Sequence, residues 1–136
     1  MTAWQRLHAA TSELVTSAPI KYRLTEAFCR HLKHVDPAEL PVPVRQSFEL
    51  LCAELQRVSP LRGETPAQAT IRKMSEHEAQ GFARRIVELW ALADARKEID
   101  ASRRRRQQAA EALGLRPEDT NVVPLFLQAE ARVNRV

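Results

Sequence analysis

The chain has 136 residues, of which 44% are hydrophobic and 28% charged, so it has the size of one ordinary domain and is too apolar for a disordered protein. The chain contains only three glycines and 5% aromatic residues, and it is rich in Ala, Leu, Glu, Gln and Arg. This composition favours helices over strands. The net charge is +4, and the run Arg103–Arg106 accounts for all of it. The rest of the chain is formally neutral, which argues against a broad basic face for nucleic acid.

The N-terminal stretch MTAWQRLHAATSELV interrupts its apolar residues with polar and charged ones. It therefore lacks the pattern of a secretory signal peptide, and no stretch of the chain approaches the ~18–20 apolar residues of a membrane span. We expect a cytoplasmic protein that has no membrane partner.

Cys29 and Cys52 lie in apolar helical patterns, so we expect reduced thiols in the core. A disulfide bridge between neighbouring helices is the alternative.

Apolar residues at helical spacing predict three helices in the first half of the chain. The first covers about residues 3–16, the second residues 20–35, and the third starts near Pro41 and Pro43 and stops before Pro60. The residues expected to face inward are Trp4, Leu7, Thr11, Leu14 and Val15; Ile20, Leu24, Ala27, Phe28, Leu32 and Val35; and Val44, Phe48, Leu51, Cys52, Leu55 and Val58.

Three capping patterns mark further helix starts. A Ser, Thr or Asp followed three residues later by Glu or Gln can satisfy the free N–H groups of a helix N-terminus. The pairs are Asp36 with Glu39, Thr65 with Gln68, and Ser75 with Glu78. They predict a short helical turn at residue 37, a short helix from Pro66 to about Met74, and the start of the longest helix at residue 76.

The longest helix is expected to bury one face as far as Ala93 and to lose that face after Ala95. The residues expected to face inward are Ala79, Phe82, Ala83, Ile86, Leu89, Trp90 and Ala93. Helical propensity continues to Gly114, a residue suited to end a helix. The helix either continues to that glycine as an arm or breaks near Asp100–Ser102.

These elements predict an all-α fold and two parts of the chain. Residues 1–95 are expected to form a compact bundle of four to five helices whose last helix is long. Residues 96–136 are expected to form a basic helical connector, followed by an apolar tail with a short helix from about Pro124.

The arginine run Arg103–Arg106 is too spread around a helix to belong to a core. Successive helical residues rotate by about 100°, so four arginines in a row sweep roughly 300° around the axis. We consider a solvated connector, a contact with nucleic-acid phosphates, and a contact with an acidic protein surface. No aromatic residue interleaves the run, which argues against a stacking site for single strands.

The spacing Ala110–Gly114 resembles the first helix and turn of a helix-turn-helix motif, whose recognition helix would run from about Pro117 to Ala129. Pro124 would then fall inside that helix and remove a backbone donor. Thr120 would stand where a core residue is required. An amphipathic tail is the preferred interpretation.

The most apolar run in the chain is VVPLFL, residues 122–127. Leaving a large apolar side chain in water forgoes about 1.5–3 kcal/mol. We therefore expect this run to dock on its own bundle or on a second subunit, and we favour a homodimer with two such tails around a two-fold axis. The docking residues are Val122, Val123, Leu125, Phe126 and Leu127.

Two smaller features could bind ions. His31 and His34 are three residues apart, a spacing at which two histidines on a helix can bind one metal ion. Cys29 would lie on another face of that helix, so we predict no metal site. An open loop beside a helix start can bind an anion, and a polar interhelix loop is the alternative. The residues of this possible anion site are Arg62, Gly63, Arg72 and Lys73.

No sequence pattern supports catalysis. The chain has neither a glycine-flanked nucleophile nor a phosphate-binding glycine loop. We therefore expect a non-enzymatic interaction or regulatory protein without a cofactor, which acts through helical surfaces and its tail on itself and on another protein. The alternative is a nucleic-acid-associated regulator that contacts phosphates through Arg103–Arg106.

Overall fold

A computed structural model describes residues 1–114, and it contains helices and turns without a strand in that range. The α helices are α1 Ala3–Leu14, α2 Ile20–Arg30, α3 Val42–Leu55, α4 Pro66–Lys73 and α5 Glu76–Ala112. Short 3₁₀ turns cover Leu32–His34 and Pro37–Glu39. The all-α prediction is confirmed, with five α helices among the described residues. The short helix predicted from about Pro124 lies outside them.

By its contacts the chain divides into Met1–Lys97 and Glu98–Val136. The predicted domain boundary at residue 95 stays a prediction. Within Met1–Lys97, α1 packs on α2, and α4 packs on both α2 and α3. The largest fully buried side chains of this unit are Leu7, Leu24, Leu32, Val44, Leu51, Leu55, Ile71 and Ile86. Each contributes roughly 1.5–3 kcal/mol by leaving water, so this core is what holds the first unit together.

The first helix ends earlier than predicted. α1 stops at Leu14, and Val15, which was expected to face inward, is 80% exposed. The guanidinium of Arg23 on α2 donates from Nη1 to the Leu14 carbonyl at 2.6 Å and from Nε to the Ala18 carbonyl at 2.7 Å. A side chain from the next helix thus satisfies a carbonyl at the C-terminus of α1.

The prediction of one continuous helix over residues 20–35 is wrong. α2 stops at Arg30, and His31 adopts a φ of −125° before the 3₁₀ turn Leu32–His34. The tighter winding of this turn still leaves Leu32 and Val35 buried. A proline then disfavours helical backbone at the preceding Asp36, which is extended.

All three helix starts predicted from capping patterns are confirmed. The capping oxygens of Asp36, Thr65 and Ser75 accept from the backbone N–H groups of Ala38, Gln68 and Glu78 respectively. Glu39 does not close a capping box, because its carboxylate accepts from the backbone N–H of Ala3 at 2.8 Å. This contact satisfies a free N–H at the start of α1. The sequence pattern did not predict that Glu39 would reach Ala3.

The third helix also ends before one of its expected core residues. α3 stops at Leu55, so Val58 lies beyond the helix instead of on its inner face. The backbone N–H of Val58 donates to the Thr70 hydroxyl at 3.1 Å, and that hydroxyl donates to the Pro66 carbonyl at 2.8 Å. Thr70 therefore connects the loop after α3 to α4.

The longest helix is continuous, and the alternative of a break near Asp100–Ser102 is wrong. α5 has 37 residues, a length of about 55 Å at 1.5 Å per residue. Gly114 follows it with a φ of +73°, a conformation that glycine adopts without steric cost.

Among the helices that the structure describes, none combines the length and apolar content required to cross a membrane.

Candidate functional site

The arginine run lies on the surface of α5. Arg103, Arg104, Arg105 and Arg106 are all exposed. Arg105 donates to the Ser102 hydroxyl at 3.1 Å. The other three arginines make no hydrogen bond or ion pair with residues 1–114, so three guanidinium groups are available to an external anion.

The possible anion site already contains a carboxylate of the chain. Glu64 receives Nε of Arg72 at 2.8 Å and Nη2 of Arg72 at 3.1 Å, a bidentate pair. This hydrogen bonding to Arg72 lowers the pKa of the Glu64 carboxyl. Arg62, Gly63 and Lys73 are exposed, but an external anion at Arg72 would have to compete with Glu64.

The two histidines do not share a helix as the sequence suggested. His31 lies at the break after α2, and its Nε2 is 3.2 Å from a carboxylate oxygen of Glu13 on α1. His34 is exposed in the 3₁₀ turn. Within residues 1–114, no group of three or more His, Cys, Asp or Glu side chains is placed to hold a metal ion.

Both cysteines are free thiols packed against the edge of the core. Burial raises the pKa of Cys52 to about 11, and burial also raises the pKa of Cys29. Because the thiolate is the nucleophilic form, these two thiols are poor nucleophiles near neutral pH.

An aromatic cluster connects the start of α1 to α5, and the sequence reasoning missed it. The indole Nε1 of Trp4 donates to Asp94 at 3.1 Å, and the ammonium of Lys97 lies 3.9 Å from the centre of the Trp4 ring. His8 stacks on Trp4 with ring centres 5.9 Å apart and lies 5.5 Å from Trp90. The spacing of Trp4 and His8 was a usable signal, whereas their partners on α5 depend on tertiary packing.

A second unpredicted feature is a groove between α3 and α5, which we call the α3/α5 groove. It has a volume of about 280 Å³ and is lined by Ser47, Leu50, Arg85, Glu88, Leu89 and Leu92. Leu89 is 7% exposed and forms the floor, while Leu50 is 56% and Leu92 is 52% exposed. Two large apolar side chains are therefore half in water on neighbouring helices.

The charges of this groove do not balance among the described residues. Arg85 forms an ion pair with Glu54 of α3 and lies over the ring of Phe82. Glu88 is exposed and makes no ion pair or hydrogen bond with residues 1–114. The groove thus combines an apolar floor with one unpaired negative charge.

Sequence reasoning missed the groove because periodicity counts only one apolar face of each helix. Leu50 precedes the buried Leu51, and Leu92 precedes the buried Ala93. Adjacent residues on a helix point about 100° apart, so these leucines fall outside the core face.

The predicted docking residues Val122, Val123, Leu125, Phe126 and Leu127 lie outside the described residues. Among residues 1–114, the structure supplies the α3/α5 groove and the exposed arginine run. A scan against protein-family models finds no matching family, and searches of curated proteins and of solved structures find no similar protein.

Proposed function

We propose that this chain is a non-enzymatic interaction or regulatory protein that acts in the cytoplasm through its helical surfaces and its C-terminal tail, as a homodimer. The observation that carries the proposal is the α3/α5 groove with its half-exposed leucines Leu50 and Leu92. Exposed apolar surface that is contiguous and has a polar rim is typical of interaction sites.

The helices that form the groove support binding without a large rearrangement. Leu51 and Ala93, the neighbours of the two exposed leucines, are buried in the core of Met1–Lys97. Side chains on such packed helices are held in position better than side chains on loops. The groove is therefore preformed, which lowers the entropy lost on binding.

The homodimer is supported by the apolar tail. Five large apolar residues fall within one stretch of six: Val122, Val123, Leu125, Phe126 and Leu127. Each large apolar side chain gains about 1.5–3 kcal/mol when it is buried. A second subunit offers a surface on which this gain is realised.

Light scattering of the full chain tests the dimer. We expect a dimer for the natural sequence and a monomer for the triple variant Leu125→Ser, Phe126→Ser and Leu127→Ser. A matched control replaces Glu118, Asp119 and Thr120 by Ser and should stay dimeric. A monomeric natural chain, or a dimer that tolerates the apolar triple variant, would refute tail-mediated assembly.

The protein partner is tested by affinity capture with the full chain as bait. We expect captured proteins that survive nuclease treatment. Capture that disappears with nuclease would contradict the interaction role and support the second candidate function.

The second candidate is a nucleic-acid-associated regulator. The specific observation in its favour is the set of three exposed arginines on α5 that make no hydrogen bond or ion pair with residues 1–114. Each phosphate contact releases counterions, so affinity falls steeply as salt rises. Replacing Arg103, Arg104 and Arg106 by Gln should then weaken binding to duplex DNA or RNA and reduce the slope of log K against log salt by about 0.9 per lost contact.

A control variant of equal charge separates this role from a general effect of net charge. Lys33, Arg57 and Arg84 are exposed residues of Met1–Lys97, and their replacement by Gln removes the same charge. Equal loss of binding in both triple variants, or unchanged binding in the α5 variant, would contradict a role for the arginine run.

A further inference from the structure

We propose that the α3/α5 groove of one subunit binds the apolar segment 122–127 of a second copy of this chain. This inference rests on the homodimer proposed above and names the surface on which the tail docks. It assigns the two exposed leucines and the most apolar run of the sequence to one interface.

The chemistry of the groove fits an apolar segment. Its floor is Leu89, and Leu50 and Leu92 stand half-exposed on its walls, so an occupant of apolar side chains would remove apolar surface from water on both partners. Pro124 within the segment has no backbone N–H. One donor fewer has to be satisfied when this segment leaves water.

The charges that follow the apolar segment complement the groove, whereas the acids Glu118 and Asp119 precede the segment. Because Glu54 balances Arg85, the exposed carboxylate of Glu88 is the unpaired charge of the groove among the described residues. Beyond the apolar segment the chain continues with two arginines, Arg132 and Arg135, against one acid, Glu130. A basic continuation beside a carboxylate favours this occupant over an acidic peptide.

Symmetry favours a second copy as the source of the segment. Each chain supplies one such groove and one such apolar run, so two reciprocal docking events complete a two-fold dimer. Both grooves and both runs are then occupied in a closed two-fold assembly.

Disulfide trapping between two differently labelled full chains tests the docking. Both chains carry Cys29→Ala and Cys52→Ala; one also carries Leu92→Cys in the groove and the other Leu125→Cys in the tail. After mixing and mild oxidation we expect a disulfide between the two chains on a non-reducing gel. A matched control carries Val42→Cys, an exposed apolar position outside the groove, in place of Leu92→Cys.

The expected yield with Leu92→Cys is at least about tenfold above that with Val42→Cys, because docking raises the local thiol concentration. Equal yields with a chain that is still dimeric would overturn the groove assignment and leave the homodimer standing. A monomeric natural chain would overturn the homodimer itself. A further variant carries Leu92→Cys and Leu125→Cys on one chain. A disulfide that forms within this chain, and not between two chains, would show that the tail docks on its own chain and would also overturn the proposal.

Discussion

At the scale of single residues, Thr70 is the buried polar residue of the described part of the chain, with 2% of its surface exposed. Its hydroxyl accepts from the backbone N–H of Val58 and donates to the Pro66 carbonyl. Replacing Thr70 by Val keeps the shape and removes the acceptor. We expect a loss of about 1–3 kcal/mol in the free energy of unfolding, measured by urea denaturation, because the Val58 N–H loses its partner.

Thr11 provides the matched control for this substitution. Its hydroxyl only donates to the His8 carbonyl one turn earlier in α1, and no backbone N–H depends on it. Thr11→Val should change the free energy of unfolding by less than about 0.5 kcal/mol. Similar losses in both variants would contradict the role assigned to Thr70.

Cys52 predicts a dependence of stability on alkaline pH. Burial raises the pKa of this thiol to about 11, while an exposed thiol titrates near ~8.5. Between these pH values the unfolded chain has released the proton that the folded chain keeps, so the free energy of unfolding falls as pH rises. The stability difference between the natural chain and Cys52→Ala should therefore shrink from pH 7 to pH 10, and a constant difference would contradict this account.

At the scale of elements, the connection from α1 to α2 depends on Arg23. Its two donors reach the carbonyls of Leu14 and Ala18 from a half-buried position. Arg23→Met should lower the free energy of unfolding by about 1–3 kcal/mol, since hydrogen bonds from charged donors are the stronger class. Thermal or urea unfolding followed by circular dichroism measures the loss.

Arg30 on the same helix is the comparison for Arg23. It is exposed and forms ion pairs with Glu13 and Glu26, the latter one turn away. Exposed pairs contribute little, so Arg30→Met should cost less than about 1 kcal/mol. An equal loss of unfolding free energy in both variants would show that the loss comes from removing a charge and not from removing the hydrogen bond to the Leu14 carbonyl.

At the scale of the whole molecule, two adjacent leucines on α3 test the proposed division between folding and binding. Leu51 is fully buried in the core of Met1–Lys97, whereas Leu50 lines the α3/α5 groove. Leu51→Ala should lower the free energy of unfolding by about 2–5 kcal/mol because it leaves a cavity. Leu50→Ala should cost less than about 1 kcal/mol and should instead weaken self-association in light scattering; the reverse pattern would contradict the division of roles.

Local sequence signals located most of the helices. The three capping patterns predicted the starts near Pro37, Pro66 and Glu76, and each start is present. The ends were harder to predict, because side chains from elsewhere in the chain satisfy backbone groups at the end of α1 and in the loop after α3. Arg23 does this after Leu14, and Thr70 receives the N–H of Val58.

The candidate site was predicted only in part. Charge and helical geometry identified Arg103–Arg106 as a surface run, and these residues are exposed. The bidentate pair between Glu64 and Arg72 was not foreseen, because a carboxylate and a guanidinium eight residues apart meet only after the loop and α4 have folded.

The sequence by itself determined the all-α class, the helix starts and the placement of the charge excess outside the core. These properties depend on residues close together in the chain, such as cap pairs, helical spacing and runs of like charge. Only the tertiary structure decided where Trp4 and His8 find Asp94 and Trp90, and that Leu50 and Leu92 border one groove. Such contacts join residues some 40 to 90 positions apart. Helical periodicity identifies the buried face of each helix, but it carries no information on which helices pack against each other.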